Sequence, residues 1–200
     1  MTKMKDSFPE NPYTLFGSWL SEAEKLKEDY PNAMWLATAT KEGRPSVRVM
    51  LLKGWDENGF VFYTNAESRK GRELLENPYA ALNFYWKTLK RQVRVEGRIE
   101  EVSEKESDDY FASRPRGSRI GAWASRQSRP VDNYETFRKR VEEIETKYDG
   151  QEDIPRPPYW KGFRVRPERI EFWHEGEFRL HHRYEYTPSG TGWNIQTLYP

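Results

Sequence analysis

Residues 34–64 read MWLATATKEGRPSVRVMLLKGWDENGFVFYT, and this stretch decides the fold class. Met34 to Thr40 is short, apolar and strand-like. Lys41-Glu42-Gly43-Arg44-Pro45 carries turn residues. Ser46 to Gly54 returns as a second strand rich in Val, Met and Leu. Asp56-Glu57-Asn58-Gly59 is a hairpin turn, because Asn-Gly tolerates positive φ. Phe60 to Thr64 is the third strand. Strands joined by tight turns pair antiparallel, so the sheet grows as a meander.

Working outward, Asn11-Pro12 offers a helix cap followed by proline at the first helical position. Leu15, Phe16, Trp19, Leu20, Ala23 and Leu26 follow at helical spacing and form one buried face. That helix ends before Pro31. Ser68 to Glu76 reads as a short helix stopped by Asn77-Pro78. Tyr79 to Trp86 and Gln92 to Val102 read as strands. Ser103 to Glu106 is a capping box that opens a helix to about Ser113. Asp132 and Glu135 open another, running to about Tyr148. Pro155 to Pro158 make a rigid extended connection. Phe163 to His174, Phe178 to Thr187 and Trp193 to Leu198 read as the last three strands. About eight strands and three or four helices, with no repeat or internal boundary, predict a mainly β, α+β fold. It is an antiparallel barrel with helices outside: one domain over 11–200, preceded by a polar, mobile segment 1–10.

Composition narrows the function. The chain has 200 residues, 36% hydrophobic and 15% aromatic, so much of its core must be Trp, Tyr and Phe. Lean apolar content in a domain of this size hints at core completed by a partner subunit. Lys+Arg is 33 against Asp+Glu 32, so no global field steers the protein to nucleic acid or a membrane. Cysteine is absent, which excludes disulfides, thiolate nucleophiles and cysteinyl metal sites. Met1 to Pro9 has no apolar run, so no secretory signal is expected. A cytoplasmic location is expected.

Three segments carry chemistry. Between Asp109 and Asp132 there is no acid, yet Arg114, Arg116, Arg119, Arg126 and Arg129 lie there, interleaved with Ser113, Ser118, Ser125 and Ser128. Guanidinium forks and hydroxyls suit phosphate monoesters. A basic solvated face weighs equally on this segment alone. In Arg179-Leu180-His181-His182-Arg183, a strand would place Arg179, His181 and Arg183 on one face. All three histidines of the chain lie in this region, but adjacent ones on a strand diverge and complete no usual ligand set, so no metal is expected. A cationic substrate face fits; on local spacing, an exposed charged strand is the stronger reading. Arg48-Val49-Met50-Leu51-Leu52-Lys53 is an apolar strand bracketed by cations, able to wall a planar anion, though most such strands simply have charged ends. Arg69-Lys70 repeats the cation theme at a helix start.

Together these segments resemble the pyridoxamine 5′-phosphate oxidase family over about residues 11–200. The resemblance rests on Arg48 to Lys53, Phe62 to Asn65, Ser68 to Gly71, Arg91-Gln92-Val93, Tyr110 to Pro115, Ile120 to Trp123, Gln127-Ser128, Ile170 to Trp173 and Arg179-Leu180-His181. It implies a split β-barrel that forms a homodimer and binds FMN at the subunit interface. FMN contacts would come from Arg48, Val49, Met50, Leu51, Leu52, Lys53, Tyr63, Thr64, Arg69, Lys70, Gln92, Gln127, Ser128, Trp173 and Arg183. A small phosphorylated pyridine substrate would be held by Lys53, Tyr110, Arg114, Ser118, Arg179, Leu180 and His181, with Arg179 and His181 as the catalytic pair. The implied chemistry is oxidation at the carbon bearing an amine or hydroxyl. A hydride passes to the flavin, and dioxygen reoxidises it to give hydrogen peroxide.

Two departures stand out. His182 replaces the family's usual Asp after Arg-Leu-His, and strand alternation would turn it from the Arg179–His181 face. Met1 to Phe8 lacks the basic, tyrosine-bearing segment common in the family. Two rival readings remain: a split-barrel flavin reductase or flavin-binding protein, which would not need Tyr110, Arg114, Ser118, Arg179 and His181, and a nucleic-acid module built on 114–129, which near-zero net charge opposes.

Overall fold

A computed structural model describes residues 9–200. The expected polar, mobile start lies mostly outside that range. Where description begins, the Pro9 carbonyl already accepts a hydrogen bond from the Tyr186 hydroxyl at 3.0 Å.

Helix α1 spans Pro12–Lys25, with the Asn11 side chain accepting from the Tyr13 amide as the sequence predicts. Strands β1 (Ala33–Ala39), β2 (Pro45–Leu51), β3 (Gly54–Asp56) and β4 (Gly59–Asn65) follow. Then come α2 (Arg69–Glu76), β5 (Tyr79–Trp86), β6 (Arg91–Glu101), α3 (Glu104–Ala112), α4 (Arg116–Ala124) and α5 (Tyr134–Lys147). The chain closes with β7 (Trp160–His174), a single 3₁₀ turn at Glu177–Arg179, β8 (His182–Ser189) and β9 (Gly192–Thr197).

All strands join one antiparallel sheet, ordered β2-β1-β5-β6-β7-β4-β3, with β8 on β7 and β9 on β8. The sheet curls as a half-barrel, matching the split-barrel expectation. β7 makes the curl possible. Its first part pairs with β4 and its last part with β8, while β6 runs along its other edge. Pro167 falls between the two partners, where a missing N–H breaks no ladder bond on that edge. Opposite it the register shifts between Glu96 and Gly97, and a Cβ at Gly97 would lie 1.9 Å from the Arg166 carbonyl oxygen. The bulge and the proline bend the sheet at one place.

The core is aromatic, as the composition requires. Phe16 of α1 meets Phe60 and Phe84 edge-on, each at 5.0 Å between centroids. A smaller cluster of Ile120, Tyr148 and Ile154 binds α4 to α5 and the segment before β7. No helix among the described residues is long and apolar enough to cross a membrane.

Several sequence expectations are corrected. Leu26 caps α1 and is 49% exposed, since the helix ends one residue earlier. The second strand stops at Leu51, and Gly54–Asp56 is a separate short strand. α4 was not foreseen, and α5 is capped by Asn133 rather than Asp132. The strand expected from Phe178 begins only at His182, because Phe178 and Arg179 hold positive φ of 55° and 65° in the 3₁₀ turn.

Candidate active site

A cavity of about 650 Å³ opens between the β2–β4 side of the sheet and helices α3 and α4. Val49, Met50 and Leu51 of β2, with Lys53 just beyond, form one wall. Tyr63, Thr64 and Asn65 of β4 and Trp160 of β7 form the floor. Tyr110, Arg114, Ser118 and Gln127 close it from the helical side. The arginine-rich segment and the apolar strand, far apart in sequence, therefore face one space.

Three near-parallel rings organise that space. Tyr63 stacks on Tyr110 at 4.1 Å and on Trp160 at 5.2 Å. Gly162 stands opposite Tyr63 in the β4–β7 register, and a Cβ there would come within 2.6 Å of the Tyr63 ring. Two of the rings carry a cation: the Lys53 ammonium lies 5.8 Å from the Tyr110 centroid and the Arg114 guanidinium 4.8 Å from that of Trp160. Arg114 also lies over Phe111 at 5.3 Å. Its Nη1 is buried without a hydrogen-bond partner. Burial pulls its pKa below the ordinary value, opposed only by the Tyr110 phenol. A half-buried guanidinium with a buried, unpaired donor and no carboxylate partner can take an anion.

A second cationic group lies behind the β4 wall. The Lys70 ammonium donates to Thr64 Oγ1 and Gln127 Oε1, both at 3.3 Å. Arg48 turns inward, donating to the Leu36 carbonyl at 3.1 Å and Thr38 Oγ1 at 2.7 Å. Arg69 pairs with Glu73 at 2.8 Å. Glu73 is the hub: 4% exposed, it accepts from Ser46 at 2.6 Å, from Thr38 and from Arg69. Burial alone would raise its carboxyl, but hydrogen bonds from Ser46, Thr38 and Arg69 hold it down at about 2. The Leu52 side chain belongs to the core. Ser128, at φ 68°, lines an adjoining cavity.

The remaining expected site residues form a separate cluster. Gln92, Trp173 and Arg183 are register neighbours across β6, β7 and β8. His181 packs on Trp173 at 4.7 Å, and its Nδ1 accepts from the Gly176 amide at 3.3 Å. Arg183 is tied to Glu171 at 2.9 Å and to the Tyr199 carbonyl at 2.9 Å. Arg179 is in the 3₁₀ turn, beside Leu180, and forms no ion pair among the described residues. The shared strand face expected for Arg179, His181 and Arg183 therefore does not exist. His182 does diverge from His181, its ring lying 6.2 Å from His174. None of Arg179, Leu180 and His181 lines the cavity of their own chain.

Residues 21–148 match the family model described as pyridoxamine 5′-phosphate oxidase. Residues 160–200 match the model for the pyridoxine 5′-phosphate oxidase C-terminal dimerisation region. A pyridoxine/pyridoxamine 5′-phosphate oxidase of Gluconobacter oxydans is 59% identical over 190 residues, covering 95% of this chain and 94% of the relative. The chain belongs to the pyridoxamine 5′-phosphate oxidase family. As a member it is an oxidoreductase.

The family's enzyme from Zymomonas mobilis is 54% identical, covering 96% and 99% of the two chains. Among solved structures, PhzG from Burkholderia lata, bound to tetrahydrophenazine-1-carboxylic acid, superposes with a TM-score of 0.92 at 34% identity, covering 100% and 98%. A family-related FMN-binding protein of Nostoc punctiforme shares the fold at a TM-score of 0.73 and 17% identity, covering 97% and 100%. Within the family frame the cavity lies mainly in the first matched region, while Trp173, Arg179, His181 and Arg183 lie in the dimerisation region. Sequence reasoning did not pick out Trp160 as a site residue. Its one local signal was the aromatic pair Tyr159-Trp160 after the proline-rich connection.

Proposed function

We propose that this family member oxidises pyridoxamine 5′-phosphate or pyridoxine 5′-phosphate to pyridoxal 5′-phosphate, using FMN and dioxygen and releasing hydrogen peroxide. The observation that carries this reading is Arg114: half-buried, with its Nη1 buried and unpartnered and no carboxylate beside it, it lines with Lys53 a cavity floored by flat rings. That is the chemistry of a phosphate monoester on a planar aromatic.

The donor set also fits FMN. The backbone and apolar side chains of Val49 to Leu51 wall a planar ring, and Arg48, Arg69 and Lys70 supply cations for its phosphate. Bound FMN supplies the two-electron acceptor that dioxygen restores. The chain's own residues do the rest. Arg114, Lys53 and Ser118 take the substrate phosphate, and Tyr110 flanks its ring. Arg179 and His181 come from a second copy, since they lie in the dimerisation region and away from their own cavity. The exposed apolar residues Trp35, Val47 and Val49 on the outer face of β1 and β2 support such a homodimer, in which they would be covered. There Arg179 stabilises negative charge on the pyridine ring as the reacting carbon is oxidised, and His181, steadied by Trp173 and the Gly176 amide, orients that ring.

The PhzG likeness raises a second reading, a flavin enzyme for a non-phosphorylated fused ring. That ligand carries a carboxylate, which Arg114 could also hold, so the preference for the first reading rests on the 54–59% identity to pyridoxine/pyridoxamine 5′-phosphate oxidases. An absorption spectrum, an FMN titration and anaerobic addition of pyridoxamine 5′-phosphate decide. Bleaching of the flavin band by substrate, reversed by air with peroxide formed, is the expected result. A protein that binds FMN but is not bleached is a flavin-binding relative with another substrate.

A further inference from the structure

We infer that Trp160 is a positioning residue for phosphate recognition, holding the Arg114 guanidinium on its indole face so that the cation keeps both its charge and its free donor. The inference rests on the proposed oxidation of a phosphorylated substrate.

Several other arginines of this chain are anchored by carboxylates. Arg156 is fixed by Glu104 and Asp108, Arg164 by Asp56 and Glu106, and Arg183 by Glu171. A carboxylate holds a guanidinium firmly but neutralises it and uses its donors. Among the described residues Arg114 has no such partner; its side chain lies over the faces of Trp160 and Phe111. A π face attracts a cation without accepting from its N–H edges. That leaves Nη1 buried and unpartnered, a donor that an incoming anion can satisfy.

Trp160 is itself fixed as a mount must be. It pairs with Asn65 at the first rung of the β4–β7 ladder. Its amide donates to the Pro157 carbonyl at 2.9 Å, and its carbonyl accepts from Arg156 at 2.6 Å. Phe111 meets its ring edge-on at 5.0 Å, and Tyr63 stacks on it. Arg114 follows Phe111 at the end of α3, so one aromatic cluster sets the guanidinium's distance from the sheet.

The test compares Trp160→Leu and Trp160→Phe with wild type, all loaded with FMN. For Trp160→Leu, KM for pyridoxamine 5′-phosphate should rise roughly three- to thirtyfold, with kcat changing less. Competitive inhibition by inorganic phosphate should weaken by a similar factor. The kcat/KM for unphosphorylated pyridoxamine should move far less, since it offers Arg114 no anion. Trp160→Phe, which keeps an aromatic face and serves if the leucine variant does not fold, should recover most of the loss while retaining the same selectivity. In an Arg114→Gln background Trp160→Leu should have no further effect on the phosphorylated substrate. Equal changes for both substrates, no change for either, or a full effect of Trp160→Leu without Arg114 overturns the inference. Wild-type protein that does not oxidise pyridoxamine 5′-phosphate overturns the proposed function first, and the inference with it.

Discussion

Arg114 is the residue on which the substrate assignment turns. Losing a charge-assisted hydrogen bond removes roughly 1.5–3 kcal/mol, about ten- to a hundredfold in binding. Arg114→Ala should raise KM for the phosphorylated substrate by that factor and leave FMN titrations close to wild type, because the cations behind β4 are separate from it. An unchanged KM would remove Arg114 from the substrate site. Arg179 and His181 are tested by the chemical step instead. Arg179→Ala should slow anaerobic flavin reduction about tenfold or more in stopped flow, with reoxidation by air little changed. His181→Ala should act the same way but less, and His182→Ala should be close to neutral, since its ring packs toward His174. If His182→Ala were the most damaging, the roles assigned to the loop before β8 would be wrong.

Helix α2 matters as an element because it carries Arg69, Lys70 and the buried Glu73 together. Glu73→Gln keeps the shape but removes the charge that holds Arg48 and Arg69, so FMN should bind several-fold more weakly while riboflavin, lacking the phosphate, should change less. The same variant has an acid signature. The Glu73 carboxyl is held at about 2 in the fold against 4.5 unperturbed. Its contribution is therefore complete above about pH 4.5 and is lost as pH falls toward 2, on the order of 3 kcal/mol in all. Urea unfolding from pH 5 to 2.5 should fall less steeply for Glu73→Gln than for wild type; parallel slopes would refute the hub. The elements differ in how far sequence foretold them. The hairpins of residues 34–64, the cap at Asn11 and the box at Ser103 were legible because each is set by local turn or capping chemistry. α4 was not, since Gly117 and Gly121 depress helix propensity and Pro115 gives it no side-chain cap. The turn before β8 was not, since nothing local announces positive φ at a phenylalanine and an arginine. For the same reason the cavity half of the site could be read from residue types, while the separation of the 179–183 cluster could not.

At the scale of the whole molecule, the two clusters complete one site only if a second copy supplies the C-terminal one. Val47 and Trp35 are 64% and 41% exposed on the outer face of β2 and β1, and neither is needed by the core of one chain. Trp35→Lys with Val47→Asp should therefore shift sedimentation toward monomer, leave far-UV circular dichroism unchanged, and weaken FMN retention on dilution. A dimer that survives both charges would place the interface elsewhere. The bend in β7 has a further consequence, for the order of events as the chain is made. β4 emerges early, yet its partner in β7 follows roughly a hundred residues later, a separation that slows pairing in general. Until residues 160–165 are available, β4 is paired only with β3 on its other side, through Gly59 to Val61, and Phe62 and Tyr63 have no strand beside them. The nascent chain must carry a sticky, unpaired edge for most of its synthesis, and a message truncated before β7 would yield aggregate rather than a smaller folded protein.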